Sequence, residues 1–285
     1  IRLEVSSRAS GLGPISVSLG RMVLLPGQKQ GKLVFVFDDG YQSILPAAQY
    51  MREKSMRGDV AAIGKYVDNP TPDHLNLYQL KSLQNNWGWD IVNHTQEHVD
   101  AVQSYYDNHD LGGYASDILQ QAAWLEANHL NSAPNWLIYP HGSINEPLEH
   151  VVSRYYMFAR VVADNPDASP YGDPHAISDF EIQYPGDGEG GDVGYTPPSE
   201  VLATVHEAIA HHLTVILTFH RIHSEASDPP GYPLALFKRV VNGISASGIK
   251  VMTLSQLDRS NGVPTNNHIY VRTGRPSQIT VNLHG

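Results

Sequence analysis

The chain has 285 residues, and 19 Lys+Arg against 29 Asp+Glu leave a formal charge of −10, which argues against nucleic acid as a partner. With 41% hydrophobic and 17% charged residues it can bury a sizeable core and is not a disordered segment, and no apolar run reaches the ~18 residues of a membrane span. It has no cysteine, which excludes disulfides, thiolate metal sites, iron–sulfur clusters and a cysteine nucleophile, so a metal would have to sit on Asp, Glu or one of the 15 histidines.

The chain opens with Ile1 and reads as a processed mature protein or as a piece of a longer one. Residues 1–30 alternate in short stretches such as Ile15-Ser16-Val17-Ser18-Leu19, punctuated by Gly and Pro, and read as a β lead-in. From 31 to 258, short apolar runs alternate with stretches of helical period, the pattern of β/α units and of a main domain. Strands are predicted at Leu33–Phe37, Gly58–Ile63, Asp90–Asn93, Trp136–Tyr139, Met157–Val162, Thr214–Phe219 and Ile249–Met252. Their continuous apolar character fits parallel strands covered on both faces, and their number suffices for barrel-like closure. Helices are predicted at Ser43–Lys54, Leu77–Trp87, Asp117–Asn128, Glu146–Tyr155, Pro198–His212 and Pro233–Ser247, several opening with Ser, Asp or Pro. Asp164–Pro198 is rich in Gly, Pro and Asp and reads as a long functional loop. The turn-like Asp258–Asn267 leads into the polar, alternating His268–Leu283, so 259–285 is read as a C-terminal β segment.

Four of the predicted strands end in residues that can do chemistry. Asp38-Asp39-Gly40 closes the first; two carboxylates there are either a catalytic pair at the mouth of a barrel or a helix-capping pair favoured by the macrodipole. His94-Thr95-Gln96-Glu97-His98 follows the third. Histidines at i and i+4 share one face of a helical turn and can present both imidazoles to one metal ion, which a carboxylate would complete; the bland reading is a pair of surface or capping residues. His220, after Leu217-Thr218-Phe219, is either a neutral core histidine or a general acid facing the same end of the sheet. Tyr139-Pro140-His141-Gly142 is a fixed turn that can leave backbone N–H groups facing an oxyanion.

In this order and spacing, Phe37-Asp38-Asp39-Gly40, His94-Thr95-Gln96-Glu97-His98, Tyr139-Pro140-His141-Gly142 and Leu217-Thr218-Phe219-His220 resemble the motifs of the NodB-homology polysaccharide deacetylases, carbohydrate esterase family 4. The resemblance implies an α/β fold, a distorted (β/α) barrel of seven or eight strands with the site at the strand carboxyl ends. It implies Asp38 as catalytic base, Asp39, His94 and His98 as ligands of one divalent metal, and His220 as general acid. Zinc is the expected ion, with cobalt, nickel or manganese as substitutes. The Tyr139, Pro140 and His141 turn would supply an oxyanion contact and part of the sugar groove. Many members carry an arginine two residues before the proline of the third motif, in contact with the catalytic aspartate; here that position is Ile138, and His141 stands where the family has Tyr. The family's acidic residue that tunes the catalytic histidine has its best match in Asp179.

The activity implied is hydrolysis of acetyl groups from a polysaccharide, with an N-acetylglucosamine-containing glycan as the favoured substrate, outside the cell or at its surface. Two other readings use the same residues: an O-acetyl esterase acting on acetylxylan, and a catalytically silent carbohydrate-binding module on a surface or virion protein. A different barrel hydrolase or isomerase is disfavoured by the Asp38-Asp39-Gly40 sequence. Trp87, Trp89, Tyr105, Tyr106, Tyr171 and Tyr184 are candidates for sugar stacking or for ordinary packing.

Overall fold

The computed structural model describes residues 28–69, 71–169, 171–185, 194–224 and 230–261. Most of the proposed N-terminal lead-in and of the C-terminal β segment lie outside them.

Eight strands form one parallel sheet: β1 (Lys32–Phe37), β2 (Asp59–Ala62), β3 (Asp90–Asn93), β4 (Trp136–Ile138), β5 (Phe158–Val161), β6 (Ile177–Ser178), β7 (Phe180–Glu181) and β8 (Thr214–Phe219). Their order is β6-β5-β4-β3-β2-β1-β8-β7. The two ends of that order are consecutive in the chain and joined through Asp179, so the sheet curls into a nearly closed barrel with its seam at Asp179. A short pair, β9 (Ile222–His223) and β10 (Tyr232–Pro233), follows β8, and β11 (Lys250–Val251) adds to the free start of β1.

Helices cover the outside: α1 (Leu45–Glu53), α2 (Gly64–Asp68), α3 (Leu77–Trp87), α4 (Leu111–Ala127), α5 (Glu146–Val152), α6 (Pro198–His211), α7 (Leu234–Ser247) and α8 (Leu254–Ser260). Alternation along β1 divides the core in two. Leu33, Phe35 and Phe37 face outward and pack on Met51, Val205, Phe237 and Val240 of the helices. Val34 and Val36 face inward, against Ala61, Val92, Ile138 and Ile216 of other strands and against Leu254 and Leu257 of α8, which plugs the bottom of the barrel.

Departures from the predicted elements have local causes. β6 and β7 are two residues each and sit inside the stretch read as a loop; pairing with β5 and β8 makes them strands, since two residues carry no period. α4 starts at Leu111, not Asp117, because the Asp110 carboxylate accepts the Gly113 N–H and caps the helix despite Gly112 and Gly113. α8 runs into the start of the stretch read as turn-like, over Asp258–Ser260: Thr253 and Gln256 form a capping box that starts it. Trp89 is 1% exposed and packs its ring on Phe37, and the partly buried Tyr171 packs edge-on against Trp136 and Phe158, so both serve packing and not sugar stacking.

Candidate active site

A cleft of about 440 Å³ opens at the carboxyl end of the barrel. It is lined by Asp38, Asp39, His94, His98, Tyr139, His141, Arg160, Glu181 and His220, so residues from six strands converge on it.

Asp38 is tied by its N–H to Phe219 O at 2.9 Å, which extends the β1–β8 ladder one residue past the strands. The chain then turns abruptly: Asp39 (φ 66°) and Gly40 (φ 71°) are both left-handed, a conformation glycine takes freely and Asp at modest cost. That turn sends the two neighbouring carboxylates to different partners. Asp39 Oδ1 lies 2.9 Å from His98 Nε2 and 3.4 Å from His94 Nε2, whereas Asp38 Oδ2 forms an ion pair with Arg160 Nη2.

The segment His94–His98 is not the helical turn that its spacing suggested. Thr95 (φ 59°) and His98 (φ 50°) are left-handed, and side chains take the backbone bonds a helix would have made. Asn93 Oδ1 accepts from Thr95 N (2.8 Å), Thr95 Oγ1 from His98 N (3.1 Å), and Asp117 Oδ1 from both Gln96 N (2.8 Å) and Glu97 N (2.9 Å).

This arrangement suits a metal ion. His94 Nδ1–H donates to Ile138 O at 2.9 Å, which fixes the tautomer and leaves a lone pair on Nε2 facing the Asp39 carboxylate. Two lone-pair atoms aimed at each other in a buried site repel unless a cation lies between them. Asp39, His94 and His98 each offer a ligand atom within 4.8 Å of the others, and two imidazoles with one carboxylate are the donor set of an open catalytic zinc-type site.

The charges around the pair are set by burial and neighbours. Burial alone would raise the Asp38 carboxyl, but Arg160, with His94 and His220, overcomes it and holds the group below the usual carboxylate range. Burial likewise opposes Asp39, and the neighbouring His94 and His98 imidazoles bring it well below that range. His141, left-handed at φ 56°, sets its ring 4.7 Å from that of His98; burial and then His98 depress its basicity, so it is neutral near pH 7. The Tyr139 N–H is spent on Arg160 O and its hydroxyl on His175 O, while Gly142 N–H goes to Tyr139 O; with Pro140 lacking a donor, His141 supplies the remaining amide of this turn.

Asp179 lies at the barrel seam, fully buried, and accepts from Arg160 Nη1 at 2.9 Å. Burial outweighs the guanidinium and pushes its carboxyl up to about 6. The carboxylate beside the catalytic-acid candidate is Glu181 on β7, 3.9 Å from His220 Nδ1 and held in place by Gln183 Nε2 at 3.1 Å.

Arg160, Glu181 and Asp117 were not singled out from the sequence. A signal existed for the first: an arginine inside the apolar Met157–Val162 strand is tolerable only if paired. It is also the register partner of Ile138, so the guanidinium reaches Asp38 from the strand next to the one on which the family resemblance places it. None of the six aromatic candidates for sugar stacking lines the cleft.

The polysaccharide deacetylase family model matches residues 26–157, which include Asp38, Asp39, His94, His98 and His141 and stop short of Arg160 and His220. Among solved structures the chain is similar to the Xyl-CE4 domain of a multidomain xylanase from a Trinervitermes trinervoides hindgut metagenome, at 13% identity over 85% of this chain and 96% of that one, with a TM-score of 0.54. It is similar to a family 4 carbohydrate esterase from Streptomyces lividans, at 16% identity over 78% of this chain and 91% of that one, TM-score 0.51. It is also similar to a CE4 family pseudoenzyme from Bacillus anthracis, at 13% identity over 81% of this chain and 66% of that one, TM-score 0.52. No curated protein sequence matches the chain.

Proposed function

We propose, on the match of residues 26–157 to the polysaccharide deacetylase family model, that the chain hydrolyses acetyl groups from a polysaccharide, an N-acetylglucosamine-containing glycan, outside the cell or at its surface. The observation that carries this reading is the division of labour between Asp38 and Asp39: one carboxylate is paired with a guanidinium, the next with two imidazoles.

Asp39, His94 and His98 would hold one divalent ion, zinc, which would polarise the acetyl carbonyl and acidify a water. Asp38, kept ionised by Arg160, accepts the proton of the attacking water. The His141 N–H faces the oxyanion that develops on the acetyl carbon's oxygen. His220, supported by Glu181, delivers a proton to the leaving amine. Acetate and a free amino sugar are the products. Among the described residues no helix is long and apolar enough to cross a membrane.

The test is acetate release by the zinc-loaded protein from peptidoglycan, poly-N-acetylglucosamine, chitin and acetylxylan, beside an Asp38→Asn control. Release from an N-acetylated glycan that the control lacks is the expected result. Release from acetylxylan alone makes the protein an esterase, and no release from any of the four by fully metal-loaded protein makes it a silent binding module.

A further inference from the structure

The two histidines of the site are separated by a loop that nothing regular holds. It bends through Gln96 and Glu97 between two left-handed residues, Thr95 and His98, neither of them glycine. Such a path is unfavourable for each residue held in a sparsely populated region, and it persists only where the surroundings impose it.

What imposes it is a side chain from the middle of a helix. Asp117 is in the second turn of α4, 4% exposed, and turned toward the loop. Its Oδ1 takes the two successive N–H groups at the bend, and its Oδ2 accepts the Tyr105 hydroxyl at 3.1 Å. α4 itself is anchored at this level: Asn93 Nδ2 donates to Ile118 O at 2.9 Å, and Gln121, one turn further on, bonds Gly64 N and Ala62 O. The carboxylate is thus a rigid post, and the amides it holds belong to Gln96 and Glu97, two of the three residues between the histidines.

We propose that Asp117 is a positioning residue of the metal centre: it sets the separation and direction of His94 and His98 by clamping the backbone between them. This role rests on the functional reading above, in which those histidines are ligands. Asp117 touches neither the ion nor the substrate. It acts on affinity through preorganisation, as partners behind a ligand shell do, whose loss lowers metal affinity by roughly 10–100-fold.

The experiment is a titration of metal-free protein with cobalt(II), read by the visible absorption of the bound ion and by its dissociation constant, in wild type, Asp117→Ala and Asp117→Asn. Asparagine keeps the acceptor oxygen for both N–H groups and drops the charge; alanine removes the clamp. Expected is a ~10–100-fold weaker constant with an altered cobalt spectrum for alanine, and a constant and spectrum near wild type for asparagine. Folded Asp117→Ala that binds cobalt like wild type overturns the proposal, as does an asparagine variant as weak as alanine, which would put the effect in the charge. Should the alanine variant fail to fold, amide exchange in the metal-free wild type decides: Gln96 and Glu97 protected well beyond an open loop is the expected result, and exchange at open-loop rates overturns it. Wild type that takes up no cobalt overturns the functional reading itself, and with it this role, whereas normal uptake by wild type and Asp117→Ala alike refutes this role alone.

Discussion

Arg160 reaches Asp38 from β5, across 122 residues of sequence, and stands in register opposite Ile138, the position at which many NodB-homology deacetylases carry their own arginine. The guanidinium arrives at the carboxylate from the adjacent strand at the same height in the barrel. One buried cation joins Asp38 to Asp179 across the seam, which links the state of the Asp38 carboxylate to the closure of the fold.

Arg160→Lys tests that link. A lysine keeps the charge but cannot hold two carboxylates in a fork, so Asp38 loses part of the attraction that opposes burial. Its pKa rises and the acidic limb of kcat/KM moves to higher pH. Arg160→Met leaves two buried carboxylates uncompensated and should cost about 3–5 kcal/mol in a denaturant melt. An unmoved acidic limb in Arg160→Lys would mean that Asp38 does not depend on this pair.

Asp38 and Asp39 are separable by substitution. Asp38→Asn should retain metal, measured by bound zinc per chain, and lose ~10² or more in turnover, the scale of a general base. Asp39→Asn should lose the metal first, because its oxygen is the one that faces both imidazoles. Equal metal loss in both variants would reverse the assignment.

His220→Ala should flatten the alkaline limb of the kcat/KM profile and hurt N-acetyl substrates more than aryl acetates, whose leaving group needs no proton. Glu181→Gln should move the same limb to lower pH, since a carboxylate 3.9 Å from Nδ1 favours the protonated ring. An unchanged profile in both would make His220 a packing residue.

A fourth prediction concerns stability and lies at the opposite end of the barrel. Asp59 and Asp90 are register partners at the starts of β2 and β3, and each accepts one N–H from the first turn of α8, Leu254 N at 3.0 Å and Ser255 N at 2.8 Å. Burial, and then the Asp90 charge, push the Asp59 carboxyl well above its usual range. A carboxyl raised in the folded state favours folding while protonated, so its contribution is complete below the unfolded value near 4 and is lost as pH rises toward the folded one, about 1.4 kcal/mol per unit of difference. Asp59→Asn should therefore flatten the decline of Tm with rising pH above about 4. A variant whose Tm falls with pH as steeply as wild type would show that the Asp59–Asp90 pair does not titrate.

What the sequence determined by itself is what neighbours in the chain can enforce. The apolar runs place β1, β3 and β8 nearly to the residue, and Asp38-Asp39-Gly40 marks its own turn because a glycine must follow a strand that reverses so sharply. The placement of His94, His98, Tyr139, His141 and His220 at strand ends was legible for the same reason. What only the tertiary structure decided are the interactions that close the barrel. β6 and β7 are too short to have a period and exist because β5 and β8 lie beside them. His94–His98 has helical spacing, yet Asp117 from α4 outbids the helix for its amides. Arg160 and Glu181 enter the site through the register of neighbouring strands, and register is fixed by the packing of a whole sheet, which no local pattern carries.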